Sequence, residues 1–219
     1  MKKRIISIIL LCLPVFALAS GGGHNEHIVP APINMDDKVS LQRGMQIFVN
    51  NCLGCHSAQY MRYERAATDL EIPLDIMEKN LMFTTDKIGE TMKSAIPSDL
   101  AKKWFGTIPP DLTLEARVRG ADWVYSYLIG FYDDESRPWN VNNHVFPDVG
   151  MPHVLSNMER ELGEEKFHQA MADLTNYMVY MAEPIRAERE RLGIYVLIFL
   201  AIFFIPVYFL NREYWKDIH

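Results

Sequence analysis

Cys52-Leu53-Gly54-Cys55-His56 is the stretch from which the rest of this chain becomes readable. Its spacing, C-x-x-C-H, is the signature of covalent c-type haem attachment. Two thiols three residues apart reach the two vinyl groups on one edge of a porphyrin. The next residue projects its imidazole toward the iron. Other uses of paired cysteines fit less well. A thioredoxin-like dithiol belongs in a βαβ context, which the flanking sequence lacks. A structural zinc site needs two further ligands at paired spacing, and no second Cys pair exists. A disulfide would leave His56 without a role. The motif occurs once, so the chain is expected to bind one haem, which excludes di-haem peroxidases and multi-haem reductases or wires.

Just before the motif, Leu41, Met45, Phe48 and Cys52 recur at helical spacing, with Ser40 as the expected N-cap. Ile88, Met92 and Ala95 suggest a short helix ended by Pro97, and Ser98 is expected to cap another turn running to Phe105. Trp123, Tyr127 and Phe131 form a stripe bounded by Gly120 and Gly130. Phe167, Met171, Leu174, Met178 and Met181 continue the pattern over about four turns, and these methionines read as core filling. Pro184 marks a joint before the charged stretch Arg186 to Arg191. No long alternating strand and no internal repeat is visible. The expected fold is all-α, a class I c-type cytochrome domain with long loops plus one C-terminal transmembrane helix.

Both ends of the chain read as appendages. Met1-Lys2-Lys3-Arg4, an apolar run to Leu18 and a small-x-small site at Ala17-Leu18-Ala19 read as a signal peptide cleaved after Ala19. Cleavage would take the net charge from −6 to −9 and leave Cys52 and Cys55 as the remaining cysteines. Leu192 to Leu210 carries no charge over 19 residues, which spans about 28 Å as a helix, close to the ~30 Å hydrocarbon core. Tyr195, Tyr208, Tyr214 and Trp215 lie at or near its edges as interfacial aromatics. The expected organisation is a signal peptide at 1–19, an exported haem domain at 20–190, a membrane anchor at 191–211 and a cytoplasmic tail at 212–219. An acidic chain lacks the basic footprint of a nucleic-acid binder, so no nucleic-acid partner is expected.

The iron needs a second axial ligand from elsewhere. Met151 stands in Phe146-Pro147-Asp148-Val149-Gly150-Met151-Pro152, where Gly150 and Pro152 stiffen the backbone on either side. His144 and His153 are its rivals, and a bis-His iron would have a lower potential than a Met/His one.

Taken in order, these segments resemble the cytochrome c1 family, the haem subunits of quinol–cytochrome c reductase (bc1) complexes. The resemblance spans essentially the whole mature chain. Leu41-Gln42-Arg43-Gly44 resembles the lead-in helix, and Cys52-Leu53-Gly54-Cys55-His56-Ser57 the haem motif. Pro109-Pro110-Asp111-Leu112 resembles the loop beside the haem edge, and Ala116-Arg117 with Gly120 to Tyr125 the segment touching the propionates. Asn142 through Pro152 resembles the methionine-ligand loop. Met181-Ala182-Glu183-Pro184, a basic stretch and one C-terminal span complete the pattern. The resemblance implies that Cys52, Cys55, His56, Met151, Arg117, Pro110 and Trp123 bind the cofactor, one haem c. His56 and Met151 would be the metal ligands and Arg117 the partner of a propionate. Trp123 replaces the family's usual Tyr. Where members commonly carry Asn-Gly before the Pro-Pro-Asp loop, this chain reads Phe105-Gly106-Thr107-Ile108. The loop disulfide of some members is absent.

The implied function is a one-electron relay within the respiratory chain, from a Rieske iron–sulfur protein to a c-type cytochrome. The isolated chain would be an electron carrier without catalytic residues, and a subunit of a ubiquinol–cytochrome c oxidoreductase. Its implied partners are the cytochrome b and Rieske subunits, the acceptor cytochrome and the membrane. The implied location is a bacterial inner membrane, single-pass, with the haem domain in the periplasm. A haem sensor or gas-binding protein with a five-coordinate iron, Met151 not binding, is one alternative, and a free-standing tethered shuttle is the other. It is disfavoured by a haem domain of about 165 residues without a low-complexity tether. Asp133-Asp134-Glu135 and Glu159 to Glu165 add acidic surface that would steer a basic acceptor.

Overall fold

The computed structural model describes residues 26–217. The proposed signal peptide at 1–19 lies outside them. Among the described residues the chain is mostly helical. In order, these are α1 (Lys38–Asn51), β1 (Ala58–Arg62), α2 (Tyr63–Asp69), α3 (Leu74–Asn80), β2 (Thr91–Met92), α4 (Ser98–Phe105), α5 (Glu115–Val118), α6 (Ala121–Ile129), β3 (Phe131–Asp133), β4 (Val141–Asn143), α7 (Ser156–Leu162), α8 (Glu164–Ala182) and α9 (Arg186–Tyr214). The all-α class holds. Two short antiparallel ribbons, β1–β2 and β3–β4, brace the long loops.

The centre of the domain is the contact of α1 with α8. The stripe read from sequence on α1 is buried in full, with Leu41, Met45, Phe48 and Cys52 each no more than 8% exposed. It faces Phe167, Met171, Leu174, Met178 and Met181 of α8, which are buried in the same core. Each such side chain contributes about 1.5–3 kcal/mol on leaving water. At Gly44 the two helices come into close backbone approach. A Cβ built there would stand 2.0 Å from the Asp173 carbonyl oxygen and 2.7 Å from Tyr177 Cβ.

A polar cluster fixes the same crossing. The Asp173 carboxylate accepts from Arg43 Nε at 2.6 Å, Arg43 Nη2 at 3.0 Å and Ser40 Oγ at 2.7 Å. Asn176 Nδ2 donates to Ser40 Oγ and to the Asn34 carbonyl. Asp173 is buried, whereas Arg43 keeps half its side chain in water. Asp173→Ala should therefore lower stability by about 2 kcal/mol, the worth of charge-assisted hydrogen bonds to a buried acceptor. A denaturant titration of the holoprotein checks this.

Four local expectations are corrected. The N-cap of α1 is Asp37, whose side chain accepts from the Ser40 amide at 3.0 Å; Ser40 lies inside the helix with its hydroxyl turned to Asp173. Ile88, Met92 and Ala95 do not form a helix. Met92 belongs to β2, opposite Ala58, because that placement buries it completely. Ser98 opens α4 as expected, but the capping position is Pro97, with no side-chain cap bond. Phe131 leaves the stripe of α6 as well, since Gly130 ends the helix and Phe131 starts β3.

After α8 the chain turns at Glu183-Pro184-Ile185 into α9, where the sequence placed a joint. This helix is longer than the apolar run: it includes Arg186–Arg191 and continues through Pro206 to Tyr214. Its apolar window is 0% buried within the chain, so by length and composition it is a candidate membrane span.

Candidate functional site

The Cys-x-x-Cys-His stretch forms the exit of α1. The amide of Cys52 continues the helix by donating to Phe48 O at 2.8 Å. Cys55 N and His56 N both donate to the Cys52 carbonyl, at 3.0 and 2.9 Å. One turn therefore carries all three functional side chains. Cys52 is buried as the last member of the α1 stripe, while Cys55 and His56 are half-buried. The two cysteines are not bridged to each other. Burial pushes the Cys52 thiol up to about 12. A redox dithiol needs the opposite, a depressed thiol pKa. Among the described residues no group of three or more His, Cys, Asp or Glu is gathered to hold a bare metal ion.

His56 is oriented by the loop that the sequence reading attached to the haem edge. Its Nδ1 lies 2.8 Å from the Pro110 carbonyl oxygen. With Nδ1–H donating there, Nε2 is left as the coordinating nitrogen, the arrangement that fixes a ligand imidazole's tautomer and direction. Burial pushes the His56 pKa down, against opposing effects of the Pro110 hydrogen bond and the charges of Asp111 and Glu115, which favours the neutral form that a metal-binding imidazole needs. The loop is itself tied to the motif. Leu112 N donates to Ser57 O at 2.9 Å and Gln59 N to Asp111 Oδ2 at 2.8 Å, while Ser94, just after β2, separately donates from Oγ to Gly54 O at 2.8 Å.

The second half of the site is built on α6 and the loop after β4. Trp123 and Tyr127, one turn apart, stack at 5.2 Å with their rings 10° from parallel. Phe146 meets Trp123 edge-on at 6.3 Å. The Arg119 guanidinium lies over the Trp123 ring at 4.3 Å and pairs with Glu115 at 3.5 Å. The Tyr127 hydroxyl donates to Met151 Sδ at 3.4 Å. Burial pushes that phenol up to about 12, so it carries its proton.

The segment leading to Met151 is strongly braced. Asn143, fully buried, donates from Nδ2 to the Tyr127 carbonyl and accepts at Oδ1 from the amides of Val145 and Phe146. Asn142 Oδ1 accepts from the Asp148 amide. Arg137 donates to the Asp148 carboxylate at 2.9 Å and to its carbonyl at 2.7 Å. These residues, with Tyr127, were not singled out as functional from sequence. The signal for them was the Asn-Asn pair itself, since such amides brace a loop backbone.

The remaining expected residues fall as follows. His144 stacks on Tyr132 at 4.4 Å and on His27 at 4.9 Å. His153 stacks on Phe131 at 4.6 Å, and its Nε2 lies 2.8 Å from Glu159. Arg117 reaches Glu183 at 3.0 Å, and the same carboxylate takes Arg189 at 2.6 Å. Arg119, not Arg117, is thus the arginine on the aromatic cluster. Asp134, within one acidic stretch, accepts from Ser136 and Asn142 and is held below the usual carboxylate range chiefly by the Ser136 hydroxyl.

The donor set fits a covalently held haem: two unbridged cysteines, an imidazole with Nδ1 engaged and no partner at Nε2 among the described residues, and a half-buried thioether. Comparison with known proteins bears on the same point. The Cytochrome C1 family matches residues 30–218. A cytochrome c1 of Allochromatium vinosum is 45% identical, with 100% of both chains covered. An ammonia monooxygenase gamma subunit of Nitrosomonas europaea is 39% identical over 99% of this chain and 100% of that one. The mitochondrial cytochrome c1 haem protein of Saccharomyces cerevisiae is 26% identical over 85% of this chain and 70% of its own.

Proposed function

The chain belongs to the cytochrome c1 family, and from that premise we propose that it relays single electrons from a Rieske iron–sulfur protein to a c-type cytochrome. Members of the family bind one covalently attached haem c and are haem electron-transfer subunits of complex III. The observation that carries the proposal is the His56–Pro110 hydrogen bond at the exit of α1, which aims one free imidazole nitrogen beside two unbridged cysteines.

When bound, the haem supplies the one-electron couple; the chain supplies attachment, ligands and a docking surface. Cys52 and Cys55 are the proposed thioether positions, and His56 Nε2 and Met151 Sδ would be the groups that bind the iron. Pro110 orients His56, and Trp123 shields the pocket with its indole. Arg117 is the proposed partner of a propionate. Its exposed fork already holds a carboxylate, that of Glu183, which supports its suitability for another. No residue is asked to move a proton.

The proposed anchor at 191–211 lies within α9, and the proposed exported domain precedes it. With a signal peptide at 1–19, the domain would face the periplasm and residues 212–219 the cytoplasm. The acidic stretches Asp133–Glu135 and Glu159–Glu165 would steer a basic acceptor. Electron transfer to such a cytochrome should then slow about tenfold from low to moderate ionic strength, measured by stopped flow. A rate independent of salt removes the steering role.

Purification of the chain from mild-detergent membranes, read by a reduced-minus-oxidised haem spectrum, tests the assembly. Co-purifying b-type haem and an iron–sulfur signal support a quinol–cytochrome c reductase containing cytochrome b and Rieske subunits. A lone c-type haem points to a tethered shuttle. Co-purification with a monooxygenase instead would follow the likeness to the gamma subunit.

A further inference from the structure

The Tyr127 hydroxyl has a partner that neither the haem motif nor the family resemblance accounts for. Its bond to Met151 Sδ, 3.4 Å long, links α6 to a loop residue 24 positions on. The phenol cannot swing away easily. Its ring is stacked on Trp123 at 5.2 Å and abutted edge-on by Phe131 at 5.3 Å. Its own carbonyl is fixed by Asn143, the same side chain that shapes the start of the Met151 loop. Donor and acceptor are thus positioned by one shared amide.

A thioether sulfur has two lone pairs. One suffices for a metal bond, which leaves the other to accept a hydrogen bond. A donor there draws electron density from sulfur and weakens its donation to a bound metal. The oxidised metal, with the higher charge, loses more from this than the reduced one. Such a bond therefore raises a reduction potential, an outer-sphere effect of the kind that tunes metal centres generally.

We propose that Tyr127 is a positioning residue for Met151: its hydroxyl aims the thioether and raises the reduction potential of the haem. This rests on the proposed ligation by Met151. A tyrosine is required for it, because phenylalanine would keep the stack with Trp123 and lose the donor.

The test uses the full-length holoprotein in detergent, with two readouts: the sulfur-to-iron charge-transfer band of the oxidised form and the midpoint potential. Tyr127→Phe should retain the band and shift the one-electron equilibrium about fivefold toward the oxidised form, about 40 mV at 59 mV per decade. Tyr127→Leu, which also removes the donor, should shift the potential in the same direction, and either variant that keeps the band decides. Tyr63→Phe, which removes a buried phenol on α2 whose hydroxyl pairs with Thr84, should leave the potential where it was. An unchanged potential in a band-retaining Tyr127 variant overturns the inference while leaving Met151 as ligand. Absence of the band from the wild-type protein overturns both.

Discussion

Gly44→Ala should lower the stability of the haem domain by about 3 kcal/mol, the upper part of the range for overpacked cores. The added methyl meets backbone, not a movable side chain: the Asp173 carbonyl oxygen at 2.0 Å. Neither α1 nor α8 can relieve that contact by changing a rotamer, so the helices must part. Parting them loosens Met45 and Phe48, both 0% exposed, and stretches the Asp173–Arg43–Ser40 bonds. Alanine's better helix propensity, about 1 kcal/mol, is already counted in that figure. A net loss of this size corresponds to a fall of about 6–12 °C in apparent Tm for a chain of this length. Gln46→Ala, on the exposed face of the same helix, should stay within about 0.5 kcal/mol of wild type. Because Cys52 caps the C-terminal end of α1, a displaced α1 also displaces the attachment motif, and yields of holoprotein should fall with stability. A Gly44→Ala protein as heat-resistant as wild type would mean that the crossing tolerates a wider spacing.

The same crossing explains which parts of the molecule were readable in the sequence. The stripe of α1 announces itself because one face of that helix is buried, and periodicity reports that kind of burial; α8 is buried all round from Met171 to Met181, and its stripe shows because the polar Asp173, Thr175 and Asn176 fall between the apolar positions. The partner of each stripe was not readable: Ser40 and Asp173 are 133 positions apart. That distance is why Ser40 passed for a cap when Asp37 performs the capping. Met92 misled for a related reason. Its spacing from Ile88 and Ala95 is helical, but its burial comes from pairing with Ala58, a contact no local pattern records. At the site, the attachment motif was legible because its chemistry needs fixed spacing. Family resemblance reached the Pro109–Leu112 loop, but only the structure gives Pro110 its carbonyl contact with His56. Tyr127 was visible as a stripe member beside Trp123, and its hydroxyl was not, because Met151 approaches from a separate loop. Arg117 shows the converse limit. Resemblance gave it one carboxylate partner, and the structure gives it another, Glu183 at the joint before α9.

Met151→Ala should abolish the sulfur-to-iron band without unfolding the domain. The loop does not depend on this side chain for its course: Asn143 holds Val145 and Phe146, Asn142 holds Asp148, and Arg137 holds Asp148 through both carboxylate and carbonyl. Met151 is only half-buried, so truncation costs far less than it would in the core. A fully buried methionine such as Met77 provides the contrast, with an expected loss of 2–5 kcal/mol on truncation to alanine and an intact band. Without the thioether the iron would lack that donor, and the one-electron equilibrium should move about a hundredfold toward the oxidised form, about 120 mV at 59 mV per decade. Retention of the band in Met151→Ala would place the ligand elsewhere. The double variant then separates ligand from tuning. If Tyr127 acts through the sulfur, Tyr127→Phe shifts the potential in the wild-type background and has no further effect once Met151 is alanine, a non-additivity expected only of groups in contact. Equal shifts in both backgrounds would mean that the phenol acts on the haem by some other route, and that the 3.4 Å contact between its oxygen and the sulfur is packing alone.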